Sequence, residues 1–552
     1  MFIFDFNWQI QNFLNQFWWQ INFLLLVILV MLSYLAYKKP IYAIGLTIIL
    51  LPTYLFRSKI YFLPFTFLEL CIWITFLGWL INVIKNRRLK NGQANYYQWP
   101  IILISIAAAI SIFISPDLRS AAGLWKAYFV EPILFFLVLI NVAKTGNDKE
   151  IILWSLGIST LIISSLAILQ KFSGFGIAES SWTSPNHRRV TSIFTSPNAV
   201  GLYLGPIVAV YLSWLISDIR LKAILANVAF IQKIILKLLI ITLALLAVLF
   251  TVSQGTWFGL LAAIIFLAYF GWDKKWTAIV IAGLMIATLV IPTTRNKILP
   301  IVTFQDAAGQ NRLELIQISR DYLMQGPKNF ILGAGIFGLP QIHEQLRDPL
   351  KTEPLIYPHN IFLNFWLEIG LLGLIGFIWL TIRFFKEGFK RMTTDKWLEI
   401  GIMSAMVVII IHGLVDVPYF KNDLAMLFWI IIGLITVNGQ AHKKIHFWRK
   451  HTTAIILGDK TATWRLWDNK NLSAGDIVDF LETETQRKFA TAKIINVIEK
   501  PMGQLTQEDK IGHEEFASDK EIYETFKKYY KKPVGRQTIV KIIRFQLING
   551  KK

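Results

Sequence analysis

Cysteine is almost missing from this sequence: Cys71 is the only one in 552 residues, and it lies inside an apolar run. That excludes a disulfide framework and a cysteine-based metal site. Charge is also scarce, at 16% of residues, and acidic charge is the scarcer, with 35 Asp and Glu against 56 Lys and Arg. There is no D-x-D pair to hold a nucleotide sugar through a metal. The two His-Glu pairs, "HEQLR" and "HEEFA", both miss the second histidine of H-E-x-x-H. A basic, cleavable leader is lacking too. Residues 1–20 carry Trp, Phe, Gln and Asn instead, the composition of a segment lying at a membrane interface.

What the chain has in abundance is apolar surface. Hydrophobic residues make up 55% and aromatics 14%, and the mean hydropathy is +0.50, too apolar for a soluble protein of this length. Crossing a bilayer takes about 20 apolar residues. Runs of that size recur from 21–37 to 422–438, giving about 12–13 expected membrane helices within residues 21–440. Basic clusters at Lys85, Arg87, Arg88 and Lys90, at Arg220, Lys222 and Lys233, at Lys274 and Lys275, and at Arg383, Lys386, Lys390 and Arg391 fall on one side if the runs alternate. By the positive-inside rule that side is the cytoplasm, which puts the C-terminus inside a plasma or inner membrane. Two connections on the opposite side are long. Residues 171–195 contain His187, Arg188 and Arg189, and residues 293–358 form the largest loop. Loops of this length commonly act as lids or binding segments.

The stretch "YPHNIFLNFWLEIGLLGLIGF" (357–377) places polar groups at the mouth of an apolar helix. Asn360, Asn364 and Glu368 recur every four residues and form one stripe. His359 is nine residues from Glu368, on the opposite face and about 13 Å away along the axis, so the two are not a direct acid–base pair. Asp416 and His412, spaced by four, read as a structural pair on one helix face. Gly370, Gly373 and Gly376 read as close-packing positions.

Read together, "PHNIFLNFWLEIGLLGLIGF", "GQNRLELIQIS", "RRVTSIFTSPNAVGLYL", "VSQGTWFGLLAAI" and "HGLVDVPYFKND" resemble the O-antigen ligase/polymerase family of polytopic glycosyltransferases. The resemblance implies transfer of a glycan from a polyprenyl diphosphate carrier to a glycan or lipid acceptor hydroxyl at the outer face, with no cofactor and no metal. It makes His359 the proton acceptor, a role suited to an imidazole. It makes Arg189 and Arg312 the guanidinium groups that meet the diphosphate. Arg188, Arg320, Asn360 and Glu368 are the expected substrate-binding residues. Where the family has Ser-Arg-Gly this chain has Ser253, Gln254 and Gly255, so Arg188 or Arg320 would have to supply the missing charge, or the donor is held differently. A lipid-linked glycan transporter or flippase would also account for polar helix ends and basic outer loops, although no internal repeat is visible. A membrane-tethered RNA-binding protein is a third reading.

After residue 440 the apolar runs stop. "HKKIHFWRKH", "DIVDFLE", "FATAKIINVIE" and "QTIVKIIRFQLI" read as strands and "SDKEIYETFKKYY" as a helix, a small α+β unit. "GDKTATWRLWDNKNLSAGDIVDF" (458–480) and "LTQEDKIGHEEFASDKEIYETFKKYY" (505–530) resemble an ASCH domain over residues 443–552, which implies a PUA-like β-barrel that binds RNA or acts on a modified nucleoside. The matching site positions are Lys460, Thr463, Arg465 and Glu515. Glu514, adjacent to Glu515, competes for the last role.

Overall fold

The computed structural model describes residues 3–4, 11, 15–60, 63–86, 94–177, 179–222, 228–272, 274–275, 277–279, 281–283, 303, 305, 307–346, 357–392, 396–437, 443–468, 470, 472–485 and 487–547. Residues 284–292, the parts of the long loop at 293–302 and 347–356, and Arg87, Arg88 and Lys90 lie outside the described residues. The chain divides into two compact units, Met1–Asn438 and Gly439–Lys552.

The first unit is largely helical. Its helices are α1 (Trp18–Lys38), α2 (Pro40–Ile49), α3 (Phe67–Asn86), α4 (Ala94–Ile114), α5 (Leu118–Trp125), α6 (Glu131–Val142), α7 (Gly146–Ser173) and α8 (Pro197–Lys222). They continue with α9 (Val228–Thr251), α10 (Gln254–Gly271), α11 (Ala307–Met324), α12 (Pro327–Leu332), α13 (Leu339–Leu346), α14 (Ile361–Arg391), α15 (Lys396–His412) and α16 (Asn422–Thr436). Among the described residues nine segments are long and apolar enough to cross a membrane, and α2 and α16 are shorter apolar helices. The protein is a multi-pass membrane protein.

Helix ends follow local chemistry. Thr145 and Asp148 form a capping box at the start of α7, and Gly174 in the left-handed region (φ 71°) closes it. Asn360 caps α14 by accepting the Leu363 amide. Lys149 in α7 pairs with Glu399 in α15 at 2.7 Å, both buried. From Asp423 onward α16 is buried along its whole length.

The unit is not wholly α, as the sequence had suggested. Strands β1 (Ile3–Phe4), β2 (Phe56–Ile60) and β3 (Leu63–Thr66) form an antiparallel sheet. Pro52 and Pro64 flank Arg57 and Lys59 there, and prolines at that spacing interrupt helix. A second correction concerns α14. At Gly370 the backbone takes φ 72° and ψ 179°, a conformation essentially restricted to glycine, and a Cβ there would lie 2.6 Å from the Ile331 carbonyl oxygen. Gly370 therefore kinks the helix against α12.

The second unit is a curled sheet, a half-barrel, in the order β4 (Lys443–Phe447), β6 (Ile477–Glu482), β7 (Lys488–Pro501), β8 (Ile539–Leu547) and β5 (Ala462–Leu466). β4 runs parallel to β6 and the other pairs are antiparallel. Helices α17 (Arg449–Leu457), α18 (Gln507–Lys510) and α19 (Asp519–Tyr530) complete it. Phe447, Phe480 and Phe545 fill the inside of the curl, while Trp464, Ile522 and Phe526 join the sheet to α19. The edge strands β4 and β5 are bridged by a side chain: Arg465 donates from Nη2 to the His446 carbonyl at 2.6 Å and lies over the Phe447 ring.

Candidate active site and tail pocket

Five chain segments meet at one end of the helical bundle: the start of α14, the stretch 413–421 between α15 and α16, the start of α8, the end of α9 and the start of α10. They are stitched by backbone and side-chain hydrogen bonds. Ile361 N donates to Gly413 O (2.7 Å), Asn360 Nδ2 to Leu414 O (3.3 Å), and the Tyr357 hydroxyl to Phe420 O (3.0 Å). This seam brings His359 to Asp416, with Nδ1 3.4 Å from Oδ1. Contacts between catalytic groups are often this long before substrate binds. His359 itself has φ 48°, a left-handed conformation uncommon outside glycine that costs about 1–3 kcal/mol.

Asp416 is the hub. Its Oδ1 accepts from Val417 N (2.8 Å) and its Oδ2 from Asn198 Nδ2 (3.1 Å). Asn198 Oδ1 in turn faces Arg189 Nη2 at 3.5 Å, and Arg189 Nε donates to Thr251 O at 2.9 Å. Burial alone would raise the Asp416 carboxyl, but the facing His359, with His412 behind it, holds it well below the usual carboxylate range. Arg312, on α11, lies within electrostatic range of His412.

The expected helical pairing of Asp416 with His412 is not what forms. α15 stops at His412, because Gly413 and Pro418 break the helical run, and Asp416 turns to His359 and Asn198 instead. Gly255, at the start of α10, lets this corner close: a Cβ there would meet His412 Cδ2 at 2.5 Å.

The other expected residues are not members of the Arg189–Asn198–Asp416–His359 network. Arg188 donates to the carbonyls of Lys171, Phe172 and Thr183, tying down the C-terminal end of α7. Arg320 is exposed, about two turns along α11 from Arg312. Asn360 serves as the α14 cap. Glu368 is buried and accepts the Phe337 amide at 2.7 Å, bracing the turn after Gly335. Asn364 is fully buried in the same helix. Gln254 is half-buried beside Gly255.

Residues 239–378 match a family model described as O-Antigen ligase. This part of the chain is an O-antigen ligase-like domain. The match covers Gln254, Arg312 and His359, whereas Arg189, Asn198 and Asp416 lie outside it and reach the site through the fold. Such a domain makes the protein an enzyme of the glycosyltransferase type. No curated protein matches the chain. Among solved structures, protein EF3133 from Enterococcus faecalis V583, titled with family-model DUF984, is similar over 18% of this chain and 70% of its own, at 16% identity and a TM-score of 0.16.

Beyond the ligase-like domain, the half-barrel carries a cavity of about 210 Å³, lined by residues that include His451, Lys460, Thr463, Arg465, His513 and Glu514. Glu514, not the exposed Glu515, is the carboxylate in it. Its Oε1 lies 2.8 Å from His451 Nδ1 and 3.2 Å from Lys460 Nζ. Burial acts to raise the Glu514 carboxyl, but the hydrogen bond with His451 and the Lys460 charge outweigh it and bring it down to about 2. Burial lowers the Lys460 ammonium, with Glu514 opposing. His513 stacks on Trp464 with ring centroids 4.2 Å apart, and burial pushes its imidazole down to about 4. Thr463 is buried on β5 at the cavity wall.

Asn198, Asp416, Lys421 and Asp423 were not among the expected site residues. The signal was present in two quoted stretches: "SPN" opening α8, and "VDVPYFKND", whose acidic and basic residues flank a break between apolar helices.

Proposed function

We propose that this protein is a membrane glycosyltransferase of the ligase or polymerase kind, moving a glycan from a polyprenyl diphosphate to an acceptor hydroxyl at the outer face. The observation that carries the reading is the network Arg189–Asn198–Asp416–His359, which joins a guanidinium to an imidazole that lies within the O-antigen ligase-like match. Asp416 Oδ1 faces Nδ1 of His359 at 3.4 Å, which leaves Nε2 for the acceptor. Nε2 takes the acceptor's hydroxyl proton as the oxygen attacks the anomeric carbon. A new C–O bond forms there, and the bond from that carbon to the diphosphate oxygen breaks, its electron pair leaving with the diphosphate. Arg189 and Arg312 meet the charge that develops on the leaving group.

The reading is tested with purified protein in lipid vesicles, supplied with a polyprenyl-diphosphate oligosaccharide and acceptors in EDTA. Lipid diphosphate release should persist without metal and fall by about 10²- to 10⁴-fold in His359→Ala. Full turnover in that variant would remove His359 from the chemistry. Movement of intact lipid-linked glycan between leaflets, without release, would favour a flippase.

For the half-barrel we propose an ASCH-type, PUA-like unit on the cytoplasmic side that binds RNA or a nucleoside. The support is a cavity combining the Lys460 and Arg465 cations with aromatic walls, the pairing used to hold phosphate and stack bases. Binding of a short single-stranded RNA by the full chain, abolished in Lys460→Ala, is the expected result. Undiminished binding in that variant would exclude the cavity as the site.

A further inference from the structure

The cavity of the half-barrel, about 210 Å³, is small. Pockets that enclose a drug-sized ligand run to about 300–1,000 Å³, so this one has room for a single base with its sugar and none for a strand. An RNA bound there would put one nucleotide inside and lay its neighbours on the rim. That rim is aromatic and basic. Trp448 and Tyr529 line the cavity and also face solvent, at 49% and 39% exposed. Tyr530, a third lining residue, is fixed by accepting the Leu466 amide at 3.2 Å. The ring of Trp467 meets Tyr530 edge-on, with centroids 5.5 Å apart, and is itself 50% exposed.

Trp467 is held in that position against its backbone preference. Its φ of 49° lies in the left-handed region, which costs about 1–3 kcal/mol for a residue of this bulk. Cations accompany the exposed rings. Lys532 Nζ lies 5.1 Å from the centre of the Trp467 ring, and Lys450 Nζ lies 5.1 Å from that of Tyr529, whose hydroxyl it also reaches. The stretch "KKYYKK" (527–532) sets four exposed lysines around Tyr529 and Tyr530 with no acid among them. An open ring with an ammonium beside it suits a single strand, whose bases stack on the ring while their phosphates meet the charge. A free nucleoside, held wholly inside the cavity, would leave this rim unused. A duplex keeps its bases stacked on one another, out of reach of the rings.

We infer that Trp467 with Lys532, and Trp448 and Tyr529 with Lys450, form a track for single-stranded RNA, on which one nucleotide enters the cavity and its neighbours stack outside. The inference rests on the nucleic-acid reading of the half-barrel and adds to it the strandedness of the ligand and the residues that hold its flanking nucleotides. Trp467 and Lys532 are not lining residues, so their loss leaves the cavity walls in place.

The test measures binding to the full chain in vesicles by two kinds of probe: single-stranded oligouridylate and oligoadenylate of about eight nucleotides, and the free uridine and adenosine monophosphates. The strands should bind more tightly than the monophosphates. Trp467→Ala should weaken strand binding about 5- to 100-fold, the value of one base stacked on an aromatic ring. Monophosphate binding in that variant should stay within about twofold of the wild type, as for a surface change away from the cavity. Trp467→Phe, which keeps a ring, should recover most of the loss. Lys532→Ala should lower the slope of log affinity against log salt by about 0.7 for the strands, the share of one phosphate contact, and carries the test if Trp467→Ala does not fold. Equal wild-type affinity for strand and monophosphate overturns the inference, as does unchanged strand binding in folded Trp467→Ala; either result leaves a closed nucleoside site. Strand binding that survives Lys460→Ala overturns the entry of a nucleotide into the cavity. Wild-type protein that binds neither probe overturns the nucleic-acid reading and this inference together.

Discussion

Adjacent residues with the same side chain do unlike work here. Arg188 and Arg189 read alike in sequence, yet the first donates to three carbonyls around the end of α7 while the second reaches Thr251 and Asn198. Glu514 and Glu515 divide in the same way, one in the tail cavity and one exposed. The titrating residue of that cavity gives a direct prediction. A free histidine ionises near 6.5, and His513 is brought down to about 4 by burial and then by Lys460. Between those values the unfolded chain holds more protons than the folded one. Stability therefore falls as pH drops from 6.5 to 4, by at most about 3 kcal/mol, and this contribution levels off below. Glu514 acts lower: its stabilisation is present above 4.5 and is lost as pH falls through about 2. In the full chain, hydrogen exchange of the strand Ala462–Leu466 should accelerate across pH 6.5 to 4 after correction for intrinsic rates. His513→Gln should flatten that dependence and leave the lower step. An unaltered slope would assign it to another group.

At the scale of elements, much of the architecture was legible because apolar runs and turn residues report locally. The mouth of α14, with Asn360 as its cap, was marked by polar residues at a helix entrance, and four of the five tail strands by their apolar patterning, β5 (Ala462–Leu466) being the one not read. Three features were not legible, each for a physical reason. The kink at Gly370 depends on the backbone of α12 approaching within contact distance, a tertiary fact that a glycine alone does not announce. The pairing of Asp416 with His359 spans 57 residues and two helices, whereas spacing rules see only neighbours on one helix. The small sheet near the N-terminus needs Ile3–Phe4 to meet Phe56–Ile60, a long-range register set by neither segment by itself. His359, Arg189 and Arg312 are candidates that the sequence names; the contact of Asp416 with His359 is one that it does not.

At the scale of the whole molecule, the two units have separate hydrophobic cores, so the membrane domain does not need the half-barrel to complete its packing. Their connection is then a question of sides. Lys85, Lys233, Lys274, Lys386 and Lys390 fall on connections that alternate with those carrying His187 and the long loop before His359. If the basic connections face the cytoplasm, the reacting pair faces outward and the tail cavity inward, among nucleotides. The chain allows a clean measurement of this, because its single cysteine, Cys71, is fully buried and needs only replacement by serine. Reporter cysteines in place of exposed His187 and exposed Lys528 would sit on the connection before α8 and on α19. In intact cells a membrane-impermeant maleimide should label His187→Cys at once and Lys528→Cys only after permeabilisation. The reverse pattern would turn the molecule over and put the glycan chemistry inside. Labelling of both in intact cells would place tail and active site on one face, and a cytoplasmic nucleotide ligand for the half-barrel would then have no route to it.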